Sequence, residues 1–243
     1  YEAPQLPPNT TPIIDAISAP VDPLQAPAPV EVLATFADPD VGNNHTATWD
    51  WGDGSSSGGS VDELAQTVSG SHIYASAGVY TITLTVTDCA GDYDQDVFQY
   101  VVVYDPSAGF VTGGGWIDSP AGAYTSDPTL AGKANFGFVS KYKKGATVPT
   151  GNTQFVFKAG DLNFHSTSYD WLVVTGSDHA KFKGTGTING SGEYKFQIWA
   201  GDSEPDTFRV KIWTEDAGGN ETVEYDNGSE QVIGGGSIVI HTN

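Results

Sequence analysis

The clearest pattern along the chain is an alternation of period two. In Tyr80-Thr81-Ile82-Thr83-Leu84-Thr85-Val86-Thr87, the residues Tyr80, Ile82, Leu84 and Val86 fall on one face and four threonines on the other. Strict alternation of β-branched and apolar residues predicts a half-buried antiparallel strand. Residues 98–103 predict a closing strand behind it, and residues 30–36 form an earlier apolar run. The second half repeats this logic at 136–142, 154–157, 171–174, 181–188, 193–199, 208–213, 222–225 and 237–240. No segment holds an apolar helical period for three turns; the pattern allows a single helical turn at Asp62-Glu63-Leu64.

Many short strands predict an all-β protein, and 30 glycines, 14 prolines and 12% aromatic residues suit the turns between them. A length of 243 residues accommodates two domains. Asp105-Pro106-Ser107-Ala108-Gly109 predicts the hinge. The expected organisation is a proline-rich arm at 1–12, a β-sandwich at 13–106 and a second β-sandwich at 107–243. Pro4, Pro7, Pro8 and Pro12 make the arm an extended segment without a core of its own.

Charge sharpens this division. The net charge is −20, from 30 acidic and 10 basic residues. Residues 1–106 hold 15 acids and no base; residues 107–243 hold 15 acids and all 10 bases, between Lys133 and Lys211. Nucleic acid is therefore a poor partner, because phosphate binding needs clustered Lys and Arg. The single cysteine, Cys89, rules out an intrachain disulfide. It is expected to pack as a small buried or half-buried residue, with an intermolecular link as the alternative. No stretch approaches the roughly 18 uninterrupted apolar residues of a membrane-spanning helix. The chain starts at Tyr1 without a visible signal peptide, which is expected of a mature or excised form of an exported protein.

At Trp49-Asp50-Trp51-Gly52-Asp53-Gly54, then His72-Ile73-Tyr74, Gly78-Val79-Tyr80 and Val86-Thr87-Asp88, the sequence resembles the PKD family of immunoglobulin-like sandwiches. The resemblance covers roughly residues 9–104. Trp49 and Trp51 are expected in the core, and Gly52 and Gly54 at positive φ in the turn that follows. In calcium-binding relatives the ligands fall at positions matching Asp38, Asp40 and Asp88, with Asn9 and Thr10 from the entering strand; relatives often carry Ser where Thr10 stands. Three carboxylates meeting at one pole would repel unless a cation neutralised them, and calcium suits hard oxygen ligands. A solvated acidic loop is the alternative. Asp92, Asp94 and Asp96 lack the glycine and final glutamate of an EF-hand loop and are expected on a solvent face, with a second ion as the alternative.

From Val111-Thr112-Gly113-Gly114-Gly115-Trp116-Ile117 through Ala134-Asn135-Phe136-Gly137-Phe138 to Phe208-Arg209-Val210-Lys211-Ile212-Trp213, the chain looks like an uncharacterised C-terminal β-module of secreted prokaryotic surface proteins. An antiparallel sandwich or a jelly-roll-like module is expected. If their strands pair, Trp199 and Trp213 form an exposed platform on which a glycan could stack; the alternative is burial under a loop, a subunit or a second layer. Asp202, Glu204 and Asp206 are expected in a polar hairpin tip, with calcium as the alternative. Lys141, Lys143 and Lys144 are the densest basic cluster, either solvating a sheet or docking an acidic neighbour.

Nothing points to catalysis. Gly54-Ser55-Ser56-Ser57-Gly58 matches G-x-S-x-G without a strand-to-helix elbow. His45, His72, His165, His179 and His241 show no zinc spacing. The expectation is a non-catalytic, secreted or cell-surface protein stabilised by Ca2+, a module of a filament, surface layer, stalk or adhesin. Its expected partners are copies of itself or other cell-surface proteins. The alternative is a carbohydrate-binding module of a secreted multidomain enzyme.

Overall fold

The computed structural model describes residues 9–22, 24–40, 42, 44–107 and 109–242; residues 1–8 of the expected arm lie outside the described residues. The chain divides into two compact units, Tyr1–Val103 and Tyr104–Asn243.

The first unit holds β1 (Ile13–Ser18), β2 (Leu24–Gln25), β3 (Ala28–Ala37), β4 (Thr46–Asp50), β5 (Ser56–Gly58), β6 (Ser60–Asp62), β7 (Thr67–Tyr74), β8 (Gly78–Thr87) and β9 (Tyr93–Tyr104). They form two sheets, ordered β1-β3-β7-β6 and β2-β9-β8-β4-β5. Period two explains the layering. Val30, Val32, Ala34 and Phe36 point inward from β3, and Ile82, Leu84 and Val86 from β8. Trp49 and Trp51 are buried between them, as expected. Gly52 has φ +74, and a Cβ there would stand 2.4 Å from the Thr81 carbonyl oxygen, so position 52 needs glycine on two counts. Tyr74 Oη donates to the Trp51 carbonyl at 2.7 Å, satisfying a buried hydroxyl. Asp62-Glu63-Leu64 enters a turn in which Asp62 Oδ1 accepts the N–H groups of Leu64 and Ala65.

The second unit holds β10 (Phe110–Ser119), β11 (Gly132–Lys141), β12 (Thr150–Phe157), β13 (Leu162–Thr175), β14 (His179–Ile188), β15 (Ser191–Gly201), β16 (Thr207–Glu215), β17 (Glu221–Asp226), β18 (Gln231–Val232) and β19 (Gly235–His241). A 3-10 turn at Lys158–Gly160 leads into β13. From β10 to β17 each strand pairs with its predecessor; β18 pairs with β16, and β19 returns to pair with β10. Neighbours in sequence are neighbours in the sheet, so the antiparallel reading holds and the jelly-roll order does not. One ten-stranded sheet folds over a single core that includes Phe136, Phe155, Phe164, Phe182, Phe196 and Phe208.

Candidate functional site

Strand ends of the first unit converge on the segment before β1. Asn9 Nδ2 donates to Asp88 Oδ2 at 2.7 Å and to Asp92 Oδ2 at 2.9 Å. The Thr10 N–H donates to Asp40 Oδ2 at 2.6 Å, and the Asp40 N–H to Asp38 Oδ1 at 2.7 Å. These bonds form two sets, Asn9 with Asp88 and Asp92, and Thr10 with Asp40 and Asp38, joined through the Asn9–Thr10 peptide. Asp88 Oδ1 also accepts the N–H groups of Ala90, Gly91 and Asp92. The Asn9 amide, with these N–H groups behind it, holds the Asp88 carboxyl below the usual carboxylate range, because each bond favours the charged form.

The arrangement differs from the expected knot of carboxylates. Among the described residues no three His, Cys, Asp or Glu side chains gather as a metal-ligand group. The acids are strung along Asn9 and Thr10, and N–H donors relieve their repulsion. The donor set still fits calcium. An asparagine amide is read either way round, and turning Asn9 would put Oδ1 where Nδ2 now faces Asp88 and Asp92. Those three side chains would then offer hard oxygens alone.

Asp38 has a partner that the sequence did not suggest. His45 Nε2 lies 2.9 Å from Asp38 Oδ2, and Nδ1 lies 2.9 Å from Glu63 Oε2. The side chains of His45 and Asp38 are 3% and 1% exposed. Burial opposes a charge on the ring, but hydrogen bonds and charges from Glu63 and Asp38 outweigh it and raise its pKa. Histidine spacing along the chain carries no sign of this pairing. Glu63 reaches His45 from beyond β6, a proximity that only the fold creates.

On the outer face of β14, β15 and β16 the register sets Lys181, Trp199 and Arg209 side by side, and Lys195 opposite Trp213. Trp199 and Trp213 do face outward on paired strands. They are not an exposed platform. Trp213 is only 2% exposed, with Lys183 Nζ at 5.3 Å and Lys211 Nζ at 4.9 Å from its ring centre. The Arg209 guanidinium lies 4.3 Å over Trp199 and forms a two-pronged pair with Asp226. Cation–π attraction and the aliphatic stems of these side chains roof both indoles. Trp199 and Trp213 also stand four positions apart along the strands, about 13 Å. Burial, and after it the Lys195 charge, pushes the Lys183 pKa down.

Lys141 ends β11, and Lys143 and Lys144 occupy the following loop; all three are exposed. Among the described residues, Lys195, Arg209 and Lys211 pair with acids, whereas Lys141, Lys143 and Lys144 form no ion pair.

The remaining candidates have structural roles. Asp202 Oδ2 accepts the Ile240 N–H at 2.7 Å and Asp206 Oδ2 the Ile238 N–H at 2.8 Å, so these acids bind a strand edge. Asp94 does the same for Ile14 at 2.8 Å, and Asp92 holds Asn9. The D-x-D-x-D run is therefore more than a solvated face. Cys89 is exposed rather than buried, at the turn after β8 where no core layer reaches. Ser56 and Ser57 of the G-x-S-x-G match lie in β5, and Ser57 Oγ accepts the Trp51 indole N–H. A groove of about 890 Å³ is lined by Ser18, Glu31, Leu33, Ser57, Ser69 and Ser71 among others, and no aromatic ring lines it.

An immunoglobulin-like sandwich followed by a folded meander defines a two-module β-protein. Residues 9–103 match the family model of the PKD domain. That family is non-catalytic, occurs in extracellular proteins and takes part in protein interactions. The match ends where the second unit begins. No curated protein matches the chain. No described helix is long and apolar enough to cross a membrane.

Proposed function

We propose that the protein is a calcium-stabilised structural module of an extracellular assembly whose copies join head to tail. The observation that carries this reading is the division of charge: residues 1–106 hold 15 acids and no base, while every base lies further on. Lys141, Lys143 and Lys144 form no ion pair among the described residues, so their charge is available to a neighbour. Contact between the acidic unit of one copy and this loop of the next is heterologous, and heterologous contacts generate rings or filaments. Asn9, Asp88 and Asp92 would hold calcium, with Thr10, Asp38 and Asp40 around them; the ion would supply positive charge where acids converge. The assembly would be a filament, surface layer, stalk or adhesin.

The triple substitution Lys141→Glu, Lys143→Glu, Lys144→Glu tests the contact. With millimolar calcium, sedimentation and electron microscopy of the full chain are expected to find assemblies that the triple variant loses and that added salt dissolves. A parent that stays monomeric at high concentration, or a variant that assembles unchanged, overturns head-to-tail joining. The carbohydrate-binding alternative is tested by titration with polysaccharides; Trp199 and Trp213, being roofed, do not offer it the expected stacking platform.

A further inference from the structure

Five of the ten asparagines begin an Asn-x-Ser/Thr triplet: Asn9, Asn44, Asn189, Asn220 and Asn227. In an exported chain this triplet is the acceptor pattern for N-linked sugar. The fold sorts the five by whether the amide nitrogen can be reached. Asn227 is only 4% exposed. Its Oδ1 accepts the Val210 N–H at 2.8 Å, and its Nδ2 donates to the Phe208 and Ser229 carbonyls and to Gln231 Oε1. A sugar there would break a buried network that joins β16 to the chain after β17. Asn9 is exposed, but its nitrogen spans Asp88 and Asp92. Asn189 is held at both ends, by the Asn163 N–H and the Asp161 carbonyl.

Asn44 and Asn220 differ. Asn44 is exposed, as is Thr46 two residues on, while the His45 side chain between them turns inward. Both the amide-bearing and the hydroxyl-bearing residue of the triplet are therefore open to solvent. Among the described residues the Asn44 amide has no hydrogen-bond partner. Asn220 lies in the exposed turn before β17, with Thr222 also exposed. Its Nδ2 contacts only the solvent-facing Asp216 carboxylate at 2.9 Å, an interaction that water replaces at little cost.

We infer that Asn44 and Asn220 carry N-linked glycans and that Asn227 does not. The donor class is an oligosaccharide on a polyprenyl phosphate or diphosphate. Asparagine Nδ2 bonds to the anomeric carbon, the bond from that carbon to the phosphate oxygen breaks, and the phosphate leaves with the electron pair. The amide nitrogen gives up one of its two protons, which ends on the departing phosphate, and keeps the other. Selection of Asn220 over Asn227 requires transfer to a chain that has folded, at least through the second unit. The inference rests on the extracellular reading above.

The test uses protein from its native cells, separated into cytoplasmic and surface fractions and digested with trypsin. Lys211 is the last cleavage site, so residues 212–243 carry both Asn220 and Asn227 on one peptide, and residues 1–133 carry Asn9 and Asn44. Mass spectrometry with fragmentation that preserves the sugar is expected to find one glycan on each peptide, at Asn220 and at Asn44. Asn44→Gln and Asn220→Gln should each remove one. Surface protein bare at Asn44 or Asn220, or glycosylated at Asn227, overturns the inference and leaves the location intact. Protein found only in the cytoplasm overturns both.

Discussion

Phe136 and Phe208 stack with ring centres 3.9 Å apart and planes within 6°, although five strand-to-strand steps separate β11 from β16 in the sheet. A flat meander could not bring them together. Their contact marks where the sheet has folded over, so the core is made by long-range closure rather than by pairing alone. Phe208→Ala should cost about 3–5 kcal/mol, the usual range for emptying a buried phenylalanine site. The first unit has a separate core, so only one of two unfolding transitions should move. Differential scanning calorimetry reads this directly; loss of both transitions together would show that the units do not unfold independently.

Asp202 and Asp206 accept the N–H groups of Ile240 and Ile238, on the last strand. Unpaired N–H groups on an edge strand invite pairing with another chain, and carboxylates that occupy them close that route. Asp94 does the same for Ile14 in the first unit. Asp202→Ala should cost about 1–3 kcal/mol, since it strands a donor in a partly buried position. Amide hydrogen exchange at Ile240 should accelerate, and aggregation on heating should increase. Unchanged exchange at Ile240 would show that water serves as well as the carboxylate.

Periodicity made some of this legible and hid the rest for identifiable reasons. The β8 alternation was unambiguous because Ile82, Leu84 and Val86 pack against one layer only. β10 escaped because Gly113-Gly114-Gly115 erases the alternation; a Cβ at Gly113 would meet the Phe138 ring at 2.4 Å, so a neighbour's side chain fills that place. The first half of β13 escaped because bulges between Ser166 and Ser168 and between Tyr169 and Trp171 shift the period. Alternation places Trp199 and Trp213 on the outer face, but it does not tell that lysine and arginine stems will roof them. At the acidic pole, motif positions named Asn9, Thr10, Asp38, Asp40 and Asp88, of which Asn9 bonds Asp88 and Thr10 bonds Asp40, whereas the pairing of His45 with Glu63 depends on two loops meeting.

Asp53 links the turn after β4 to β7. Its Oδ1 accepts the Ser55 hydroxyl at 2.6 Å and the Ser55 N–H at 3.0 Å, and its Oδ2 lies 2.7 Å from His72 Nε2. Burial pushes the Asp53 pKa up, but the Ser55 and His72 hydrogen bonds outweigh it, and the net shift is downward. A carboxyl whose folded pKa lies below its unfolded value stabilises the fold above that unfolded value, about 3.9. This contribution fades as pH falls through the folded value. Asp53→Asn should therefore be less stable than the parent at neutral pH, and the gap should narrow below about pH 4. Urea midpoints across pH 2–7 check the sign; a gap that widens with acid would contradict it.

Calcium should act on the first unit alone. Asn9, Asp88 and Asp92 meet within it, and the negative charge of residues 1–106 has no basic residue to offset it. Extracellular calcium modules bind with dissociation constants of about 10⁻⁴ to 10⁻³ M. At about 10 mM calcium, linkage then adds about 1.4 to 2.7 kcal/mol to the native state. For a domain of this size that corresponds to a rise in Tm of about 6–20 °C, at about 4–8 °C per kcal/mol. Chelation with EDTA should reverse it. Asp88→Ala should abolish the calcium response and also lower the calcium-free Tm, since Asp88 Oδ1 ties the turn through Ala90, Gly91 and Asp92. Asn9→Ala leaves that turn intact but removes the amide that bridges both carboxylates, so it should weaken the response and lower the calcium-free Tm by less than Asp88→Ala does. Calorimetry with and without calcium distinguishes the two variants. A first transition that does not move with calcium in the parent would mean that N–H donors alone neutralise this pole.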